Sequence, residues 1–198
     1  TPGSIEITKT IVNDPGAQDT FKFEVFKWSK SRNKWEPART ITIDGPGLIT
    51  VDNLTAGEVY KVKEVDIPEY YAADDAETDQ FTVEAGSTVP VTFTNTYKKG
   101  IITINKIVEN TVPRQLDTFT FNIYQKNDKD KRNPWTFIEQ VSRTGAGTLE
   151  VDDLSKGEYK VEEVASANYV ISGGQSDRFA QINKENGYKS DVTFKNCY

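Results

Sequence analysis

The chain says most things twice. Ile5-Glu-Ile-Thr-Lys9 returns as Ile102-Thr-Ile-Asn-Lys106, and Asp19-Thr-Phe-Lys-Phe23 returns as Asp117-Thr-Phe-Thr-Phe121. Val51-Asp-Asn-Leu54 matches Val151-Asp-Asp-Leu154, and Tyr60-Lys-Val-Lys-Glu64 matches Tyr159-Lys-Val-Glu-Glu163. Val91-Thr-Phe-Thr-Asn95-Thr-Tyr97 closes the first copy as Val192-Thr-Phe-Lys-Asn196-Cys-Tyr198 closes the second. Five blocks in one order define a duplicated domain, and each copy is long enough to bury its own core. The boundary falls at Lys98-Lys99-Gly100, giving domains 1–98 and 99–198. So short a polar linker predicts limited bending between them.

Within every block apolar and polar residues alternate, the period of a half-buried strand. Ile5/Ile7, Phe21/Phe23/Val25, Ile41/Ile43, Tyr60/Val62 and Val91/Phe93 carry the pattern. Turn-forming stretches such as Asn13-Asp-Pro-Gly16, Asp44-Gly-Pro-Gly47, Gly145-Ala-Gly147 and Ser172-Gly-Gly174 separate them. No helical stripe is sustained over three turns. The spacing predicts an all-β chain of two tandem β-sandwiches with about seven short strands each.

Composition removes most function classes. Thirty acids against 24 bases leave a net charge of −6, which disfavours a nucleic-acid binder. Without histidine there is no Ser-His-Asp or Cys-His triad and no histidine metal site. The single Cys197 excludes an internal disulfide framework and a thiolate zinc cluster. No cofactor or metal is expected. No apolar run approaches the roughly 20 residues that cross a bilayer, and no charged-then-apolar leader opens the chain. The expectation is a soluble piece of a longer protein, monomeric in isolation, that does not insert into a membrane. An enzyme acting on an external substrate is disfavoured, although a hydrolase built on carboxylates alone stays open.

Parity exposes the unusual residues, because positions i, i+2 and i+4 of a strand share one face. Lys9 shares a face with Ile5, Ile7 and Ile11, and Lys106 shares one with Ile102, Ile104 and Val108. Glu64 lies with Tyr60 and Val62, and Glu163 with Tyr159 and Val161. Asn95 lies with Val91, Phe93 and Tyr97, and Asn196 with Val192, Phe194 and Tyr198. Each copy therefore points one lysine, one glutamate and one asparagine at its own core, where unpaired charges are rarely tolerated. Three readings are open. The residues form a buried ion pair with a hydrogen-bonded amide, or they reach solvent at strand ends, or they react. A desolvated lysine is a candidate neutral nucleophile. A glutamate taken out of water tends to keep its proton and can polarise an amide carbonyl. Attack of the lysine on the asparagine side chain would release ammonia once, with no turnover, helped by the high effective concentration inside a fold.

On these residues each half resembles the Cna B-type domain of Gram-positive surface adhesins and pilins. The resemblance rests on the early Ile-x-Lys strand, the Tyr-x-Val-x-Glu strand and the terminal Val-Thr-Phe-x-Asn-x-Tyr strand, and it covers nearly the whole chain twice. It implies a transthyretin-like, immunoglobulin-like sandwich. It also implies isopeptide bonds from Lys9 to Asn95 and from Lys106 to Asn196, with Glu64 and Glu163 as the catalytic promoters. The function it implies is that of stalk domains of an adhesin or pilin at the bacterial cell wall, outside the cell. Their partners would be neighbouring domains of a longer surface protein. The alternative is a module that binds host extracellular matrix, through a hairpin carrying Trp28 and Trp35.

Three further features are read as structural. Lys126 to Pro134 is a solvated counterpart of the Trp28 hairpin. Asp74 to Asp79 is a solvated acidic loop rather than a calcium site, because it lacks an EF-hand pattern. Cys197 has the parity opposite to Asn196 and is expected to face outward.

Overall fold

The computed structural model describes residues 1–109, 117–166 and 168–198. The chain divides into two compact units, Thr1–Lys98 and Lys99–Tyr198. Each is an all-β sandwich of two four-stranded sheets.

Unit 1 contains β1 (Gly3–Val12), β2 (Thr20–Ser29), β3 (Lys34–Asp44), β4 (Gly47–Leu54), β5 (Glu58–Val65), β6 (Tyr71–Ala73), β7 (Phe81–Val83) and β8 (Thr88–Tyr97). One sheet runs β4-β1-β8-β6 and the other β3-β2-β5-β7. Unit 2 repeats this with β9 (Gly100–Glu109), β10 (Thr118–Lys126), β11 (Trp135–Thr144), β12 (Gly147–Leu154), β13 (Gly157–Glu163), β14 (Val170–Ile171), β15 (Asp177–Ile182) and β16 (Lys189–Cys197). Its sheets run β12-β9-β16-β14 and β11-β10-β13-β15. The extra strand relative to the sequence expectation is a very short one in each unit, three residues in β6 and two in β14. Segments so short carry too little alternation to be read as strands.

Among the described residues, all pairings but one per unit are antiparallel. The exception joins the first strand to the last: β1 lies parallel to β8, and β9 parallel to β16. In unit 1 the chain crosses between sheets at the turn from β3 to β4, where Gly45 takes a φ of 70° that a side chain would resist. Gly145 does the same in unit 2, with a φ of 72°.

The core of each unit comes from the inward faces of both sheets. Ile5 and Ile7 of β1 meet Phe21, Phe23 and Val25 of β2 and Tyr60 and Val62 of β5. Phe23 and Phe93 pack ring to ring across the sandwich at 5.0 Å, and Phe121 and Phe194 do so at 5.2 Å. One side chain departs from parity. Tyr97 is 2% exposed, whereas Tyr198 is 52% exposed. Tyr97 is still part of β8 and pairs with Tyr71 of β6, while Tyr198 lies beyond the end of β16.

Candidate functional site

Burial is nearly complete for the six polar residues picked out by parity. Lys9, Glu64 and Asn95 are 1%, 2% and 0% exposed, and Lys106, Glu163 and Asn196 are 2%, 2% and 1% exposed. They are the only charged or amide side chains in this class among the described residues. The reading in which strand ends let them reach water is therefore excluded.

Topology brings each trio together. Ile11 stands opposite Asn95 in the β1–β8 ladder, so Lys9 lies two positions along, on the same face of the neighbouring strand. Diagonal neighbours of this kind are within reach of a long side chain. Val108 and Asn196 repeat the register in unit 2. The glutamate comes from the facing sheet, where β5 pairs Glu64 with Phe23 and β13 pairs Glu163 with Phe121. A loop carbonyl holds the other side of each glutamate's backbone: the Glu64 N–H donates to Ala76, and the Glu163 N–H to Ser176.

In unit 1 the Lys9 Nζ lies 2.9 Å from Glu64 Oε1 and 3.1 Å from Oε2. Asn95 Nδ2 donates to the same Oε1 at 2.8 Å. In unit 2 Lys106 Nζ and Asn196 Nδ2 both donate to Glu163 Oε1, each at 2.7 Å. The glutamate is thus the common partner of amine and amide. The Oδ1 atoms of Asn95 and Asn196 are buried with no hydrogen-bond partner, an unusual condition for a polar atom in a core.

Burial is the main cause that pushes the Lys9 amine below its ordinary value, against the opposing pull of Glu64 and, more weakly, Asp74. Lys106 is lowered for the same reason, with Glu163 opposing. An aromatic ring walls each amine. Lys9 Nζ lies 4.6 Å from the Phe21 centroid, and Lys106 Nζ 4.3 Å from that of Phe119. Parity alone does not mark these two rings as part of the site. The signal was present in the duplicated Asp-Thr-Phe block.

The remaining sequence features occupy the surface. Trp28 and Trp35 face each other across the β2–β3 hairpin, with ring centroids 5.4 Å apart, edge to face. Glu77, in the acidic loop, is taken up by Lys61 at 2.5 Å and Lys63 at 3.8 Å. Cys197 is part-buried, with its Sγ 3.7 Å from Glu109 Oε2.

The two all-β sandwiches share one strand order. Residues 100–197 match SpaA, described as a prealbumin-like fold domain, and residues 5–98 match a domain of unknown function, DUF5979. No curated protein sequence matches the chain. Among solved structures, the Bacillus anthracis TIE protein superposes with a TM-score of 0.66 at 21% identity, covering 100% of this chain and 34% of that one. This chain thus spans about a third of that relative's length. The major pilin of Streptococcus pyogenes superposes with a TM-score of 0.57 at 14% identity, over 100% of this chain and 99% of that one. The T3.2 major pilin of the same organism gives 0.55 at 13%, over 99% and 98%. At these identities the likeness is one of fold.

Proposed function

We propose that each unit is a load-bearing module of a Gram-positive surface protein that locks itself with an isopeptide bond, Lys9 to Asn95 in unit 1 and Lys106 to Asn196 in unit 2. The observation that supports this most is the repeated trio itself. In two independent cores a lysine and an asparagine on adjacent strands converge on one buried glutamate.

The chemistry follows from the proton count. In a dry site the ammonium can pass its proton to the carboxylate it touches, leaving a neutral amine and a carboxylic acid. Turning the asparagine amide over brings its unpartnered oxygen to that acid, which polarises the carbonyl. The amine then attacks Cγ and a tetrahedral centre forms. The glutamate carries a proton from the attacking nitrogen to the departing one, and ammonia leaves. One C–N bond is made and one is broken, and the proton that the ammonium gave up stays on the glutamate until the departing ammonia takes it away as ammonium. The fold supplies the orientation, which is worth effective molarities on the order of 10⁵ M or more.

The product suits a stalk. β1 and β8 lie side by side and parallel, so a pull on the two chain ends loads their ladder in shear. With the bridge in place the load passes from Lys9 straight to Asn95. Closing a loop of roughly 90 residues also stabilises the unit by about 4–5 kcal/mol if disulfide loop entropy transfers. The setting this implies is the outer surface of a cell wall, within a longer adhesin or pilin whose neighbouring domains continue the shaft. The module performs one self-directed reaction and no turnover.

The test is the intact mass of the denatured, reduced chain. Each bond expels one ammonia, so two bonds predict a deficit of about 34 Da against the sequence mass, about 17 Da per bond. Digestion should map the deficits to Lys9–Asn95 and Lys106–Asn196. An undiminished mass would leave two ordinary sandwiches with buried ion pairs.

A further inference from the structure

The bond-forming scheme leaves unused a second, part-buried polar pair that recurs in both units. Asp19 stands one residue before β2, in one sheet, and Tyr71 opens β6, at the edge of the other. The Tyr71 hydroxyl donates to Asp19 Oδ2 at 2.8 Å, a charge-assisted bond that ties the two sheets together. The Tyr71 ring is buried, meeting Phe21 edge-on at 5.1 Å and Tyr97 at 5.2 Å. Phe21 is the ring that walls the Lys9 amine. Contacts therefore run from acid to phenol to ring to nucleophile. Unit 2 repeats the series: Asp117 acts on the Tyr169 phenol and raises it, the Tyr169 ring meets Phe119 at 5.1 Å, and Phe119 walls Lys106. Each acid is anchored in turn, because its carbonyl accepts the N–H of the sheet-crossing glycine, Gly45 or Gly145, at 2.9 Å.

We infer that Tyr71 with Asp19, and Tyr169 with Asp117, are positioning residues that latch the edge of the sandwich over the lysine and keep water from the amine while the bond forms. Burial first, and then the aspartate, raises each phenol above its ordinary value, so it remains a donor near neutral pH. The latch rests on the isopeptide reading, and its test separates the two.

Chain collected unfolded in urea from inclusion bodies is diluted to refold, and ammonia loss is followed by mass for each unit. Tyr71→Phe keeps the ring and removes the hydroxyl. It should slow bond formation in unit 1 by about tenfold, while unit 2 of the same molecule keeps the wild-type rate. A second readout follows the amine directly. In an Asn95→Ala background, which cannot link, the Lys9 ε-carbon signal is titrated by NMR with and without Tyr71→Phe. Lys9 faces Glu64 from β5, feels Asp74 beyond β6 and is otherwise walled by Phe21 of β2. Both carboxylates remain in both samples, so admission of water should move the titration up toward the ordinary lysine value. Should Tyr71→Phe fail to fold, Asp19→Ala and Asp19→Asn carry the test. The first should slow linking, and the second, which keeps an acceptor oxygen, should restore most of the rate. If the wild-type chain links both units and these variants link unit 1 equally fast with an unmoved Lys9 titration, the latch is wrong and the bond stands. If the wild-type chain loses no ammonia, both fall.

Discussion

A lysine at 1% exposure is a liability unless something accepts its proton or its charge. Here one carboxylate faces the amine, and it also holds the amide that the lysine would attack. The depressed amine has a consequence for stability that linking would hide and Asn95→Ala would expose. Lys9 is lowered in the folded unit by burial, with Glu64 opposing, so between the lowered value and the ordinary 10.5 the unfolded chain binds more protons than the folded one. Stability of unit 1 in Asn95→Ala should therefore rise with pH across that window and level off above it. Denaturant midpoints taken at stepped pH would check this, and a fall through the window would contradict the assigned direction. Parity made the six polar residues legible, because alternation is a local property of each strand. It did not reveal Tyr71 or Asp19. Their partnership spans 52 positions, and β6 is too short to display a period.

At the scale of elements, the parallel contact between first and last strands governs what the residues can do. It sets Lys9 diagonal to Asn95. The start of each first strand is also tightly seated, against the strand of the facing sheet and the segment that follows it. A Cβ on Gly3 would come within 2.4 Å of Val83 Cγ1 and 2.5 Å of the Glu84 carbonyl oxygen. A Cβ on Gly100 would come within 2.2 Å of Ile182 Cγ2 and 2.9 Å of the Tyr188 carbonyl oxygen. The near neighbours include backbone, so they cannot simply swing away. Gly3→Ala should lower the stability of unit 1 by about 1–3 kcal/mol, read as a lower denaturant midpoint with an unchanged slope. Gly16→Ala meets no crowding, since a Cβ there finds nothing within 4 Å, and its cost would come from the φ of 71° alone.

For the molecule as a whole, the units are joined in series by the chain, so a pull on its two ends would act on both. Glu64→Ala removes the shared partner of Lys9 and Asn95 and should leave unit 1 folded but unlinked, while unit 2 links normally. Stretched between its ends in an optical trap, that variant should show one release of about 30 nm as the strands of unit 1 are drawn out at roughly 3.5 Å per residue. The wild-type chain should show no release of that size from either unit. A 30 nm step in the wild-type chain would mean the load does not pass through a covalent bridge. What the sequence determined by itself was whatever depends on neighbours along the chain: the duplication, the strand period, and the inward direction of one lysine, one glutamate and one asparagine per copy. Which strands lie side by side was decided only in three dimensions. The parallel pairing of β1 with β8, the arrival of Glu64 from the opposite sheet and the closing of Tyr71 onto Asp19 all join residues tens of positions apart. Their proximity depends on where the chain crosses between sheets and how the two faces pack, and neither leaves a local pattern to read.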